Sequence, residues 1–229
     1  NANYLIYANL GKIQNIMLIL NNGNAGEVYR SDVSGFILHN YESGIIENFV
    51  VKLKDPYIAT NYVAGLVSYN RGIIRNGYIY GQPIKMTNYL NLTEQQYSAD
   101  NYIGGLVTYN KPGGIVENVY TLIDIHTREN LSANDSVATI VSINYGEIRN
   151  SFSVGDVYYA GKIRKDYGPA YRNARTTSMA SNVFYHSDED YGNTNNTWIA
   201  KPVLHDRLWY EHLFNDPHSS KSNQFDLTP

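Results

Sequence analysis

"VAGLVSYNRGIIRNGYIYG", Val63 to Gly81, carries a phrase that the chain repeats: an apolar pair, then Asn, then Gly, then Ile-x-Asn. The same phrase stands earlier as "VSGFILHNYESGIIENFVVKL", from Val33, and later as "IGGLVTYNKPGGIVENVYTLI", from Ile103. Each copy can be anchored on the Gly before Ile-x-Asn: Gly11, Gly44, Gly72, Gly114 and Gly146. Two residues on stand Ile13, Ile46, Ile74, Val116 and Ile148; four on, Asn15, Asn48, Asn76, Asn118 and Asn150; six on, Met17, Val50, Tyr78, Tyr120 and Phe152. The position three on is always polar: Gln14, Glu47, Arg75, Glu117 and Arg149. This alternation predicts a strand with one buried and one wet face. Upstream, apolar pairs recur at Leu5-Ile6, Phe36-Ile37, Leu66-Val67, Leu106-Val107 and Ile140-Val141, each ahead of a second Asn series, Asn9, Asn40, Asn70, Asn110 and Asn144.

The anchor glycines lie 28 to 42 residues apart. A constant core with variable spacing marks each copy as one supersecondary unit, with its length differences pushed into loops. Each unit reads as two short strands separated by an Asn-to-Gly turn, residues that tolerate a left-handed corner. One unit cannot bury its apolar face alone, whereas stacked units can. The expected fold is all-β: a right-handed parallel β-helix with like residues in register at about 4.8 Å. In that register Asn15, Asn48, Asn76, Asn118 and Asn150 are expected to form a buried structural column, each amide donating to the next. Glu47, Arg75, Glu117 and Arg149 are expected to form an outward column of alternating sign, which favours the native register.

Beyond Gly155 the pattern loosens. "YGPAYRNARTTSMASNVFY", Tyr167 to Tyr185, reads as an irregular sixth rung, with Asn173 as its turn Asn. The β-helix is expected to span residues 1–202, with a short, partly helical cap and tail over 203–229. There Leu204, Leu208, Trp209 and Leu213 stand at helical spacing.

The 229 residues are 43% hydrophobic and 17% charged, with a formal net charge of −3, enough for one sizeable core. Near-neutrality without a Lys/Arg run argues against a nucleic-acid partner. The longest apolar run, Ile16 to Leu20, is strand-sized, which argues against membrane insertion. Cysteine is absent, so disulfides and thiolate metal sites are excluded. The 22 tyrosines suit β-structure. The first repeat starts almost at once, and the chain reads as a piece of a larger protein.

The phrase Gly-Leu-Val-x-x-Asn-x-Gly-x-Ile-x-Asn, as "GLVSYNRGIIRN", resembles the GLUG repeat of bacterial surface proteins. The closing "GPAYRN…NVFY" and "LWYEHLF…FDL" resemble the end of the GLUG array in the amino-terminal region of the immunoglobulin-A1-protease family of zinc metallopeptidases. The resemblance covers residues 4 to 229, and the Gly-Leu-Val opening is lost at Tyr4 and Thr139. It implies a non-catalytic β-helix upstream of a zinc-dependent catalytic domain, in a secreted, surface-attached protein of the bacterial cell wall. It implies no cofactor in this chain and zinc in the parent's catalytic domain. The implied partner is a host protein substrate, immunoglobulin among the candidates, or the parent's own protease domain.

The residues carry little chemistry of their own. No His-Glu-x-x-His occurs; in "HDRLWYEH" His205 and His212 are seven apart, the wrong spacing for zinc ligands on one helical face. Asp188 and Asp190, with Asn193 and Asn195 nearby, offer oxygen ligands for calcium or form a solvated acidic loop. No three acids fall in register, as a carbohydrate-cleaving β-helix would need. Four Asn-x-Ser/Thr matches, beginning at Asn91, Asn130, Asn134 and Asn195, read as incidental. A binding site is sought in the longest insert, Gln82 to Tyr102, whose Tyr89, Tyr97 and Tyr102 stand among Asn and Gln. A carbohydrate-active module and a free-standing adhesin are the other two readings.

Overall fold

The computed structural model describes residues 4–21, 33–34, 36–59, 62–86, 102–127, 135–159, 162–163, 170–173, 179–186 and 197–198. These residues form strands and turns and no helix. The strands build four sheets, and the chain visits them in rotation. The second coil runs through Val33–Ser34, Ile37–Asn40, Ile45–Leu53 and Tyr57–Ala59 before Tyr62–Ala64 returns to the first sheet. Each strand pairs in parallel with its counterparts one coil before and after; Lys162–Ile163, antiparallel to Val157–Tyr159, is the exception. The arrangement is compatible with a parallel β-helix. Each unit contributes up to four short strands rather than two, because the chain must turn several corners to come back above itself. The sixth rung is present: Ala170–Asn173 pairs with Val141–Asn144, and Met179–His186 with Glu147–Val154. The cap proposed for 203–229 lies outside the described residues.

Like stacks on like inside. Ile46, Ile74, Val116 and Ile148 form one fully buried column, and Val67, Val107 and Val141 another. Burial of each such side chain contributes roughly 1.5–3 kcal/mol. Where one column changes size, its neighbours compensate. The Phe49 ring lies against Gly77 on the next coil, where a Cβ would stand 2.5 Å from it.

The strict alternation fails at one residue per coil. Asn15, Asn48, Asn76, Asn118 and Asn150 all have left-handed backbone, with φ between 47° and 55°, a conformation that Asn tolerates better than most side chains do. That twist slips the phase by one. Ile46 points in and Asn48 out, after which Phe49, Val51 and Leu53 point in. The expected buried column is therefore a surface feature: Asn15 and Asn48 are exposed, Asn76 and Asn150 half-buried, and Asn118 covered. Its amides still pair, Asn48 Nδ2 donating to Asn15 Oδ1 (3.0 Å) and Asn118 Nδ2 to Asn76 Oδ1 (3.1 Å). The same slip turns Met17, Val50, Tyr78, Tyr120 and Phe152 away from the core. Tyr78, Tyr120 and Phe152 stack outside it at 4.7 and 5.0 Å, within 8° of parallel. Burial in that stack, and then the neighbouring Tyr78, raise the Tyr120 phenol to about 12.

The buried ladder is the other Asn series. Asn9 Nδ2 donates to Asn40 Oδ1, Asn40 to Asn70, Asn70 to Asn110 and Asn110 to Asn144, all at 2.8–2.9 Å. The last four of these residues are at most 1% exposed. None of the anchor glycines has positive φ, and Gly44, Gly72, Gly114 and Gly146 serve this ladder by close approach, whereas Gly11 stands in open space. A Cβ at Gly44 would stand 2.1 Å from Asn40 Oδ1.

The charged column is also present and more enclosed than expected. Arg75 donates to Glu47 through Nε (2.9 Å) and Nη2 (2.7 Å), and Arg149 Nε donates to Glu117 (2.7 Å). Lys12 closes one end on Glu47 and Glu147 the other on Arg149. Beneath the arginine stems Glu47 and Glu117 are only 8% and 4% exposed, so each carboxylate depends on its cations. Hydrogen bonding to Lys12, then to Arg75, holds the Glu47 carboxyl below its ordinary value.

Two tests follow from these ladders. Asn70→Leu should cost about 1–3 kcal/mol in urea unfolding, since its neighbours keep buried amide groups without partners. Asn48→Gly should cost under about 1 kcal/mol and Asn48→Val clearly more, because only the latter strains a left-handed residue. Equal costs for Asn70→Leu and Asn48→Gly would contradict the assignment of inner and outer ladders. For Glu47 the folded state favours the ionised form. Its contribution is therefore complete above about pH 4.5 and lost as pH falls through the lowered folded value. Glu47→Gln should be less stable at pH 7, with a flatter loss of melting temperature on acidification; parallel curves would show the ion pairs to be energetically idle.

Candidate ligand-binding site

Ile37–Asn40, Val67–Asn70 and Val107–Asn110 lie side by side in parallel, each ending in a ladder Asn. Because that Asn points inward, the residue before it points out. This puts His39, Tyr69 and Tyr109 in register on the surface. Their rings stack, His39 on Tyr69 at 5.1 Å and 22°, Tyr69 on Tyr109 at 5.6 Å and 21°. The same column holds Ala8 before them and Ile143 after, so the aromatic stretch is confined to three coils. Tyr62 and Tyr102, from the adjoining sheet, pack against Tyr109 at 6.2 and 5.2 Å.

The residue after each Asn begins the corner: Tyr41, Arg71 and Lys111. Their backbone N–H groups donate to Asn9, Asn40 and Asn70 carbonyls respectively, at 2.7–3.1 Å. The corner is thus fixed to the Asn ladder, and its side chains stand on a rigid base. Between ring column and corner lies an open cleft of about 270 Å³, lined by His39, Asn40, Tyr41, Tyr69, Arg71 and Lys111.

Its electrostatics are one-sided. Arg71 reaches Glu42 only at 3.8 Å, with both side chains about half exposed or more. Lys111 Nζ lies over the Tyr109 ring at 4.3 Å and the Tyr69 ring at 5.4 Å, contacts worth about 0.5–2 kcal/mol. Lys111 has no ion pair among the described residues. Burial, and then the Arg71 charge, lower its ammonium below the ordinary value. Burial, with a hydrogen bond to Tyr102, pushes the Tyr109 phenol up, so it stays a neutral hydrogen-bonding group. The cleft therefore combines aromatic lining from His39, Tyr41 and Tyr69 with two cations, Arg71 and Lys111.

Of the residues sought in the insert, Tyr102 lies at the start of Tyr102–Gly104, 9% exposed and packed against Tyr62 and Tyr109. It supports the aromatic cluster from behind. Tyr89 and Tyr97 lie outside the described residues, as do Asp188 and Asp190. No three His, Asp or Glu stand together among the described residues in a group that could hold a metal. Sequence reading missed His39, Tyr69, Tyr109, Arg71 and Lys111. The signal was there: aligned on the inner Asn, the flanking positions read Ala8-His39-Tyr69-Tyr109-Ile143 and Leu10-Tyr41-Arg71-Lys111-Tyr145, both departing from the repeat in the same coils. No protein-family model matches the chain, and no curated protein matches it.

Proposed function

We propose that this chain is a non-catalytic, right-handed β-helical scaffold of GLUG-type repeats that positions a target for a larger secreted, surface-attached bacterial zinc metallopeptidase. One observation carries the binding half of this reading. The repeated polar side chains are engaged with their own copies, Asn with Asn and Glu with Arg, while His39, Tyr41, Tyr69, Arg71 and Lys111, at positions flanking the ladder Asn, line a cleft. The acids of the outer column serve the ladder rather than standing free for bond cleavage. A rigid rod carrying one recognition patch suits holding a partner at a fixed distance from a catalytic domain elsewhere in the protein. The metallopeptidase half rests on the resemblance of "GLVSYNRGIIRN" and of the closing segment. The proposed partner is a host protein, immunoglobulin included, or the parent's own protease domain. An adhesin module is the second reading, supported by the completeness of the cleft within this one chain.

The full reading frame separates the two: a downstream His-Glu-x-x-His is expected, and its absence would favour the adhesin. Incubation of the purified chain with protein and polysaccharide panels should yield no new chain ends by mass spectrometry. A cleaved product would make the chain an enzyme and overturn the scaffold reading.

A further inference from the structure

The geometry points to an acidic saccharide, a sugar ring bearing a carboxylate, as the ligand of the cleft between the His39–Tyr69–Tyr109 column and the corner residues Arg71 and Lys111. This rests on the reading of the chain as a binding scaffold and names what its cleft takes. A pyranose ring has an apolar C–H face and a rim of hydroxyls. The cleft has the counterparts. His39, Tyr41 and Tyr69 line it, so aromatic surface borders the space a sugar ring would enter. A Tyr hydroxyl, such as those of Tyr41 and Tyr69 in the lining, can both donate to and accept from sugar hydroxyls.

The charge then selects among sugars. Arg71 and Lys111 stand on adjacent coils and repel one another; Arg71 has Glu42 at 3.8 Å, and Lys111 has no ion pair among the described residues. A carboxylate placed between them relieves that repulsion and gains charge-assisted hydrogen bonds, bidentate on the guanidinium. An acidic peptide would offer carboxylates as well, but an extended peptide draws affinity from main-chain hydrogen bonds. Here the corner N–H groups of Tyr41, Arg71 and Lys111 are already bound to the preceding coil. The cleft thus recognises its ligand through side chains alone. Its volume, about 270 Å³, sits at the lower edge of the roughly 300–1,000 Å³ of small-molecule sites, which suits a single sugar unit.

The test is titration calorimetry of the whole chain with four probes: a sialylated lactose, a uronic-acid disaccharide, lactose and a hexa-aspartate peptide. Binding of at least one acidic sugar is expected, about tenfold or more tighter than lactose or the peptide; which acidic probe binds identifies the source of the carboxylate. The double variant Arg71→Gln/Lys111→Gln should lose about tenfold or more in affinity, and its circular dichroism should match the parent chain because both side chains lie at the surface. Three results would overturn the proposal: no binding of either acidic sugar up to about 10 mM, undiminished binding by the folded double variant, or equal binding of lactose or of the peptide. Failure on the sugars with retained binding of a host protein would remove this ligand and leave the scaffold reading standing.

Discussion

Parallel strands in neighbouring coils are held about 4.8 Å apart by their backbone hydrogen bonds, and the columns of like side chains among the described residues are built to that one distance. An Asn amide suits it unusually well. Its Nδ2 can donate to the next Oδ1 along the stack and still reach a backbone carbonyl at the corner, as Asn40 does to Gly44 and Asn110 to Gly114. Buried amides would be costly without partners. In the ladder from Asn9 to Asn144 each one meets its neighbour, so a polar column runs along the inside of an apolar stack. The ladder also fixes lateral register, because a shift of one residue would set a ladder amide against a ring or corner side chain such as Tyr69 or Arg71.

The same spacing makes the outside of the coil a series of columns. Some stabilise: opposite charges alternate from Lys12 to Glu147, and Tyr78, Tyr120 and Phe152 stack almost face to face. The His39–Tyr69–Tyr109 column lies beside two cations whose charge is poorly compensated. That imbalance is what distinguishes it.

Rigidity links the two roles. The residues lining the cleft come from three successive coils, and each corner is tied through its backbone N–H to the coil before it. A ligand meeting such a surface need not order it first, which lowers the conformational cost of binding.

What the sequence determined by itself is the period. Five copies of the phrase, a phased pair of apolar positions, two Asn series and the sign alternation of Glu47, Arg75, Glu117 and Arg149 all follow from the requirement that stacked coils offer the same chemistry at the same place. The tertiary structure decided which series lies inside. A left-handed φ at Asn48 and its equivalents shifts the alternation by one residue, and a pattern of apolar and polar letters cannot show a backbone angle. Both series are Asn, so composition could not choose between them. The cleft was hidden for a related reason. His39, Tyr69 and Tyr109 stand at least 30 residues apart along the chain and become neighbours only when each coil closes, so the columns beside the ladder could be read once the ladder itself was known.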